Sequence, residues 1–250
     1  MDRAYWDALG DAYETEIFSV REHDTAGLVA AHIARLAKPA HIAADLGCGV
    51  GKFTPLLAQS FARVHACDLS PRLLARARRA CREWDNIDFL QTDLGRVRHP
   101  FAPVDFVLCV NVLIMADLNA RMGALRAVAA QVKTGGHLVL VTPSAESMFY
   151  TQFRRIDWCL REGLACEAAI RDSVPAHGSV RALHQGIRPI EGVPTKHHLR
   201  EELLVLLHDH EMDVLSIEKL TYPWHTEFEN PPAWMEGPLP WDWLVVARRK

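Results

Sequence analysis

Residues 43–53 of the chain read AADLGCGVGKF, and this stretch decides the fold. The run from His41 to Leu46 is typical of a buried strand, and three glycines at alternate positions follow it. The next apolar residues recur at helical spacing, which predicts a helix that begins near Gly51 and packs on a sheet. Glycines let a ligand approach the backbone, and a helix N-terminus offers free N–H groups. The stretch therefore predicts a site for a nucleotide-like ligand with an anionic group.

The spacing of the glycines distinguishes between two nucleotide-binding patterns. The dinucleotide fingerprint has glycine at its first, third and sixth positions, but Lys52 occupies the sixth position counted from Gly47. The chain instead has the pattern Asp-x-Gly-x-Gly-x-Gly, which runs from Asp45 through Gly49 to Gly51. This pattern resembles motif I of the class I S-adenosylmethionine-dependent methyltransferases.

Length and composition favour one soluble domain. A chain of 250 residues suits a single α/β domain with a modest insertion or cap. A net charge of −3 creates no field that would recruit nucleic acid or an anionic membrane, so neither partner is expected. The six cysteines have no metal-site spacing, which favours a reducing cytoplasm and no metal. The N-terminus lacks the apolar core of a signal peptide, and the apolar run 104–116 is too short to span a bilayer.

The alternation of strands and helices predicts a doubly wound sheet. After the first strand, further strands are expected at 63–68, 86–91, 104–111, 137–142, 212–223 and 241–248. A closing pair of strands with an antiparallel last strand is how the methyltransferase sheet ends. The predicted fold is thus α/β, a Rossmann-like seven-stranded sheet with an antiparallel last strand, an N-terminal helical lid and a helical insertion after the fifth strand.

The chain is expected to form one domain in four parts. These are a helical lid (1–38), a cofactor-binding core (39–142), a cap insertion (143–195), and a closing helix and strand hairpin with a long aromatic loop (196–250). Ser70 and Asp117 are expected to cap helices, and the glycines at 135–136 to end the second of these. Helices are also expected at 147–164 and 166–172, then a loop-like segment to Pro189, and then a helix capped by Thr195.

The resemblance implies a set of contacts with S-adenosylmethionine. They fall on Asp45, Gly47, Gly49, Gly51, Asp68, Leu69, Asp93, Leu94, Asn111 and Tyr13. The glycines would pass the backbone around the methionine part of the cofactor, and Asp45 would orient the turn or contact the amino group. Asp68 would accept hydrogen bonds from the ribose hydroxyls, and Asp93 one from the adenine amino group. Without the glycine motif, both residues would be interpreted as ordinary carboxylates in turns.

The N-terminal residues 2–18 predict an amphipathic helix. Its simplest role is to pack on the domain. The resemblance adds a second role, because in many small-molecule methyltransferases such a helix lies over the cofactor as a lid. Residues 5–7 (Tyr-Trp-Asp) and 13–14 (Tyr-Glu) look like the lid pattern.

Candidate substrate contacts lie in the lid, the cap and the closing loop. They are Trp6, Tyr150, His198, Trp224, His225 and Trp234. The loop 223–240 is acidic and aromatic, so it would surround a cationic or aromatic substrate, although a packed structural loop explains the same composition. Thirteen histidines allow a general base, but for each of them a surface or structural role is the simpler interpretation.

These patterns predict an enzyme that transfers a methyl group from S-adenosylmethionine to a small molecule and leaves S-adenosylhomocysteine. An in-line displacement chiefly requires positioning of the acceptor, which would be an amine, an amino-acid-like compound or an aromatic compound. A base is needed where the acceptor is a hydroxyl or a protonated nitrogen. A monomer or homodimer is expected. The alternatives are an NAD(P)-dependent oxidoreductase, a methyltransferase acting on a peptide or protein side chain, and a binding module that has kept the fold.

Overall fold

A computed structural model describes residues 3–8, 18–97, 100–173, 179–190 and 192–250. Within these ranges the strands are β1 (Ile42–Leu46), β2 (Arg63–Asp68), β3 (Ile87–Gln91), β4 (Val104–Val110), β5 (Val132–Pro143), β6 (Ile187–Ile190), β7 (Val193–Lys196), β8 (Met212–Thr221) and β9 (Trp241–Arg249). The helices are α1 (Arg3–Ala8), α2 (Val20–His23), α3 (Leu28–Leu36), α4 (Thr54–Ser60), α5 (Pro71–Ala80), α6 (Leu118–Gln131), α7 (Ala145–Arg161), α8 (Cys166–Ser173), α9 (Val180–His184) and α10 (Arg200–His208).

Seven of these strands form the central sheet, in the order β3-β2-β1-β4-β5-β9-β8. The first five in this order are parallel, whereas β9 runs antiparallel to both β5 and β8. This confirms the predicted seven-stranded sheet with an antiparallel last strand. The apolar runs of β1 and β4 are buried because helices cover both faces of the sheet.

Two large apolar clusters form most of the core, one on each face of the sheet. On one face, α6 and α10 pack over residues such as Leu46 and Leu138. On the other face, α3 and α4 pack over residues such as Phe106 and Val246. Successive side chains of a strand point to opposite faces, so each central strand contributes to both clusters. The carboxyl ends of the parallel strands are therefore held at one edge.

Polar caps fix the starts of three helices that surround this edge. The side chains of Ser70, Asp117 and Ser144 accept hydrogen bonds from backbone N–H groups in the first turns of α5, α6 and α7. Such caps satisfy amide groups that have no partner within the helix. The predicted capping roles of Ser70 and Asp117 are confirmed.

The structure corrects the expected helix end at 135–136. Here α6 ends at Gln131 and β5 begins at Val132, which pairs with Val104. Gly135 has a φ of +78°, so it allows a left-handed turn inside the strand. The strand begins at Val132 because this residue is buried in the core and pairs there with Val104 of β4.

The cap insertion contains more regular structure than the sequence indicated. The segment expected to be a loop contains α9 and β6, and β6 pairs with β7 in an antiparallel hairpin. Thr195 lies in β7 opposite Arg188 and does not cap a helix. The next helix, α10, instead follows Leu199, whose N–H donates to the Glu202 carboxylate.

Within the described part of the chain, no helix combines the length and the apolar character needed to cross a membrane.

A close contact between two glycines fixes α6 against the loop that follows β3. A Cβ atom added at Gly123 in α6 would lie 2.3 Å from the backbone oxygen of Gly95. The Gly95 N–H in turn donates to the Asp93 carboxylate at 2.9 Å. The absence of a side chain at Gly123 therefore helps to place Asp93 at the edge of the sheet.

We expect Gly123→Ala to lower the free energy of unfolding by about 1–3 kcal/mol, because the added methyl group meets backbone that has to move. At a helix position without such a contact, Gly→Ala raises the free energy of unfolding by about 0.5–1 kcal/mol. A decrease in Gly123→Ala would therefore indicate the close contact with Gly95. Urea denaturation measures it. An unchanged or higher stability would contradict the close contact.

Candidate cofactor and acceptor site

A cavity of about 1960 Å³ opens at the carboxyl ends of the parallel strands. Pockets for one small ligand usually measure about 300–1,000 Å³, so this cavity has room for two ligands side by side. In doubly wound sheets, ligands bind at this edge, where the strand order reverses between β1 and β4.

The glycine turn after β1 forms one wall of the cavity. Gly47, Gly49 and Gly51 have φ values of +76°, +55° and +86°, which are strained for any other residue. A Cβ at Gly47 would lie 2.2 Å from a methyl group of Val112, and one at Gly51 would lie 3.2 Å from Ala77. The backbone conformation and the packing of the turn therefore both require glycine at these two positions.

Asp68, at the end of β2, holds the turn in place. Its two carboxylate oxygens accept hydrogen bonds from the N–H groups of Gly49 and Ser70, each at 2.9 Å. Burial raises the pKa of Asp68, and the backbone N–H donors oppose that rise. Asp68 also lines the cavity, so its carboxylate faces both the turn and any ligand beside it.

Asp45, in β1, lies beneath the same turn. Its side chain is 4% exposed and accepts a hydrogen bond from the Thr54 hydroxyl at 2.6 Å. Burial, together with the negative charge of Asp68, raises the pKa of Asp45 to about 7. Within the described residues neither carboxylate pairs with a cationic side chain. This pair therefore favours a ligand that brings positive charge.

The tips of β3 and β4 complete this part of the wall. Asp93 accepts the Gly95 N–H and faces the exposed Arg96 at 3.2 Å. Leu94 is buried beside it. Asn111 has a φ of +53°, and its side-chain oxygen is buried without a hydrogen-bond partner. A buried polar atom without a partner is costly, and a ligand donor in the cavity would satisfy it.

Among the predicted cofactor residues that the structure describes, all but two lie on the cavity wall. Those on the wall are Asp45, Gly47, Asp68, Leu69, Asp93, Leu94 and Asn111. Gly49 and Gly51 are not on it, but their neighbours Cys48 and Val50 are. Tyr13 lies outside the described residues.

The N-terminal segment borders the cavity in two places. Trp6, in α1, lies on the wall. Asp7, in the same helix, accepts a hydrogen bond from the Ser70 hydroxyl, which draws α1 towards α5. In α2, the Glu22 carboxylate pairs with Lys52 of the glycine turn at 2.7 Å, and Lys52 lines the cavity.

Five other candidate substrate residues do not line the cavity in this structure. Tyr150 donates its hydroxyl to the Pro238 carbonyl, and the Trp224 indole donates to the Glu236 carbonyl. His198 is 1% exposed and contacts the Thr142 hydroxyl at 2.9 Å. These residues pack behind the wall, as the structural interpretation of the aromatic loop expected.

The remaining two candidates contact residues that do not line the cavity. The Trp234 ring faces the guanidinium of Arg161 at 4.3 Å, and a second arginine lies near it. The exposed His225 contacts the His23 ring near α2. Both side chains are engaged by neighbouring residues outside the cavity.

An acidic group lies on the opposite wall, and its two carboxylates, Glu227 and Asp242, lie in or directly after the acidic and aromatic loop 223–240. The Tyr222 hydroxyl donates to the Asp242 carboxylate at 3.0 Å, and Phe18 contacts the Tyr222 ring. Burial raises the pKa of Asp242 to about 7. Glu227 is accessible from the cavity, yet the surrounding protein and the charge of Asp242 raise its pKa to about 7 as well. A lone carboxylate in the apolar strand β9 was the available sequence signal for Asp242.

A third wall comes from the cap insertion. Arg188 in β6 donates to the side-chain oxygen of Gln152 in α7, and both residues line the cavity. His197 contacts the Thr195 carbonyl, and burial lowers its pKa to about 4, so this imidazole is neutral. Among the residues that the structure describes, no group of three or more His, Cys, Asp or Glu side chains has the arrangement to hold a metal ion.

Comparison with known proteins gives two findings from sequence. Residues 43–136 match the family model described as Methyltransferase domain. Over 112 residues the chain is 32% identical to the demethylmenaquinone methyltransferase of Tropheryma whipplei (strain Twist). That match spans 45% of this chain and 46% of the relative, so it covers less than half of either protein.

Solved structures share the fold over nearly the whole chain. One is the magnesium protoporphyrin IX methyltransferase of Synechocystis PCC 6803 with bound SAH, with a TM-score of 0.65, 17% identity, and coverage of 99% of this chain and 98% of that one. Another is the N-methyltransferase NodS of Bradyrhizobium japonicum WM9 in complex with S-adenosyl-l-homocysteine, with a TM-score of 0.59, 17% identity, and coverage of 98% and 99%. The chain therefore has the class I methyltransferase fold.

The raised pKa of Asp45 predicts how stability depends on pH in the ligand-free protein. The folded state holds the Asp45 proton up to about pH 7, whereas the unfolded chain releases it near pH 3.9. The stability that the protonated Asp45 contributes to the folded state is therefore present at low pH and is lost as the pH rises through 7. Asp45→Asn keeps an acceptor for the Thr54 hydroxyl and carries no charge.

We expect the free energy of unfolding of Asp45→Asn minus that of the wild type to be larger at pH 8 than at pH 5, by on the order of 3 kcal/mol. Urea denaturation at several pH values measures the difference. Asp85→Asn, which alters an exposed carboxyl group, is the control and should follow the wild type. Parallel curves for wild type and Asp45→Asn would contradict the assigned pKa.

Proposed function

We propose that this chain, in which residues 43–136 form a methyltransferase domain within the class I fold, is an enzyme that transfers the methyl group of S-adenosylmethionine to a small molecule. The observation that carries the proposal is the glycine turn, fixed by Asp68 and lying over Asp45 at the point where the strand order reverses. The cavity beside it is large enough for a cofactor and an acceptor.

The residues on this wall fit a cationic adenosyl ligand. Asp45 and Asp68 supply negative charge that lacks a cationic partner within the described chain. Asn111 supplies a buried oxygen without a partner. A pyrophosphate would instead face two buried carboxylates, which counts against the alternative of an NAD(P)-dependent oxidoreductase. Lys52, at the sixth position where the dinucleotide fingerprint has glycine, also forms an ion pair with the Glu22 carboxylate.

In this proposal the cofactor lies across the tips of β1 to β4. Asp68 would hold the ribose hydroxyls, with Asp93 and Leu94 at the adenine and Asp45 and Asn111 at the methionine part. When bound, S-adenosylmethionine supplies a methyl group on a positively charged sulfur. S-adenosylhomocysteine is the product.

The acceptor then occupies the part of the cavity beyond β4. Asp242 in β9 lies opposite Pro143 of β5, so the acidic group with Tyr222 and Glu227 is on this side. A carboxyl group with a pKa near 7 suits a general base, because it is ionised and still basic near neutral pH. Glu227 and Asp242 would accept the proton that a hydroxyl or an ammonium acceptor loses.

The same wall favours a particular class of acceptor. The carboxylates favour an amine, an amino-acid-like compound or a hydroxylated aromatic compound over a wholly apolar one. Gln152 and Arg188 of the cap insertion line the cavity as well. A peptide side chain as acceptor is the second candidate, and it would enter through the same opening.

The wider setting of the enzyme is also part of the proposal. All six cysteines are free thiols, and five of them are buried, which fits a reducing cytoplasm. The chain would act as a monomer or homodimer without a nucleic-acid partner, since its net charge is only −3.

We expect Asp68→Ala to weaken binding of S-adenosylhomocysteine by about 10- to 100-fold, because hydrogen bonds to a charged group contribute about 1.5–3 kcal/mol. Isothermal titration calorimetry measures the affinity, and NADH should give no binding heat with the wild type. Asp85→Ala, a change at an exposed residue, is the control. Equal affinity in wild type and Asp68→Ala would show that Asp68 does not contact the ribose.

The acidic group predicts a pH profile for an oxygen or nitrogen acceptor. We expect kcat/KM to rise as Glu227 and Asp242 ionise through about pH 7, and to level off above it. In the double variant Glu227→Gln, Asp242→Asn, kcat/KM should no longer rise with pH through 7. Its kcat at pH 8 should be lower by about 100-fold or more.

Glu229→Gln, a change at an exposed residue of the same loop, serves as the control for that profile. It should keep the wild-type profile and rate. A rising limb that persists unchanged in the double variant would exclude these carboxyl groups as the base.

A further inference from the structure

The hairpin of β6 and β7 forms the wall of the cavity beside the loop that follows β4. The Lys196 N–H donates to the Ile114 carbonyl at 2.9 Å, and Thr195 forms a bridge with Met115. Asn111 lies at the start of the same loop, at the reversal point of the sheet. The hairpin therefore faces the part of the cavity assigned above to the acceptor.

Arg188, in this hairpin, is held in a fixed orientation. Its guanidinium donates to the side-chain oxygen of Gln152, and the amide nitrogen of Gln152 donates to the Ser173 carbonyl. These two bonds determine which end of the amide faces Arg188. A guanidinium carries five N–H donors, and a single one is used by a described residue. The others are available to a ligand in the cavity.

The charge of Arg188 also lacks a partner among the described residues. Two other cations of the cap region are paired, Lys196 with Glu202 at 2.7 Å and Arg161 with Asp157 at 3.1 Å. Arg188 is partly buried and its one polar partner is a neutral amide. The nearby His197 is neutral as well. An uncompensated charge in partly buried surroundings is costly, so a ligand anion at this place gains a strong interaction.

We infer that Arg188, oriented by Gln152, binds an oxyanion of the methyl acceptor, either a carboxylate or a phosphate. The planar guanidinium matches the two oxygens of such a group, and bidentate pairs of this kind are among the stronger hydrogen bonds. The inference rests on the proposed function and narrows it. In this arrangement the anionic group of the acceptor binds at the hairpin. The group that receives the methyl lies towards Glu227 and Asp242.

Calorimetry with small aryl anions tests this inference. Benzoate and phenyl phosphate are titrated into the wild type with and without S-adenosylhomocysteine, and benzyl alcohol serves as the neutral probe. We expect at least one anion to bind, and benzyl alcohol to bind at least 10-fold more weakly. The stronger of the two anions identifies whether the natural group is a carboxylate or a phosphate.

Variants separate a specific contact from general attraction by positive charge. Arg188→Gln should weaken anion binding by about 10- to 100-fold, and Arg188→Lys should restore part of it. Arg181→Gln, which removes a charge from the exposed end of α9, should bind like the wild type. Thermal unfolding and the affinity for S-adenosylhomocysteine should be the same in all four proteins.

Three results would overturn the inference. They are no binding of either anion to the wild type, equal binding by Arg188→Gln, and an equal loss in Arg181→Gln. Failure of the wild type to bind S-adenosylhomocysteine is a different outcome, because it would contradict the proposed function. The titrations without S-adenosylhomocysteine would still decide whether Arg188 binds an anion.

Discussion

Two buried carboxylates beneath one glycine turn are the constraint on which the site depends. Asp68 accepts N–H groups from both the turn and the start of α5, so it joins β2, the turn and a helix. Asp45 adds a second carboxylate with little solvent around it. Like charges in a poorly hydrated place destabilise each other, and a cationic ligand relieves that cost. The same arrangement that closes the turn therefore selects the charge of the ligand.

The strand order divides the cavity into two parts with different tasks. The tips of β1 to β4 carry the groups assigned to the cofactor, and the reversal of the strand order at β4 places a second space on the other side. The antiparallel pair β8 and β9 brings Tyr222 and Asp242 to that space, while the cap insertion brings Arg188 from the opposite direction. An acidic wall with Asp242 and a basic wall with Arg188 therefore border the same part of the cavity. Such a space suits a polar acceptor with groups of both signs better than an apolar one.

Local signals in the sequence were sufficient for the sheet and for most of the cavity wall around the glycine turn. Apolar runs, caps and the glycine spacing each act over a few residues, so they predicted the strands and the position of Asp68. The positions of Asp242 and Arg188 on the cavity wall depend instead on pairing between segments that are distant in the sequence. Asp242 meets Tyr222 through the register of β8 with β9, and Arg188 meets Gln152 through the fold of the cap. The aromatic loop allowed two interpretations from the sequence, because an aromatic side chain such as Trp224 suits packing and binding equally well.

The number of protons released when S-adenosylmethionine binds tests the central claim most directly. Calorimetric titrations at pH 6 in buffers of different ionisation enthalpy measure this number. Because Asp45 is largely protonated there and a cation favours its charged form, we expect release of close to one proton, falling towards zero by pH 9. Binding heats that do not depend on the buffer at pH 6, or an uptake of protons, would contradict the claim that the buried carboxylates receive the cation.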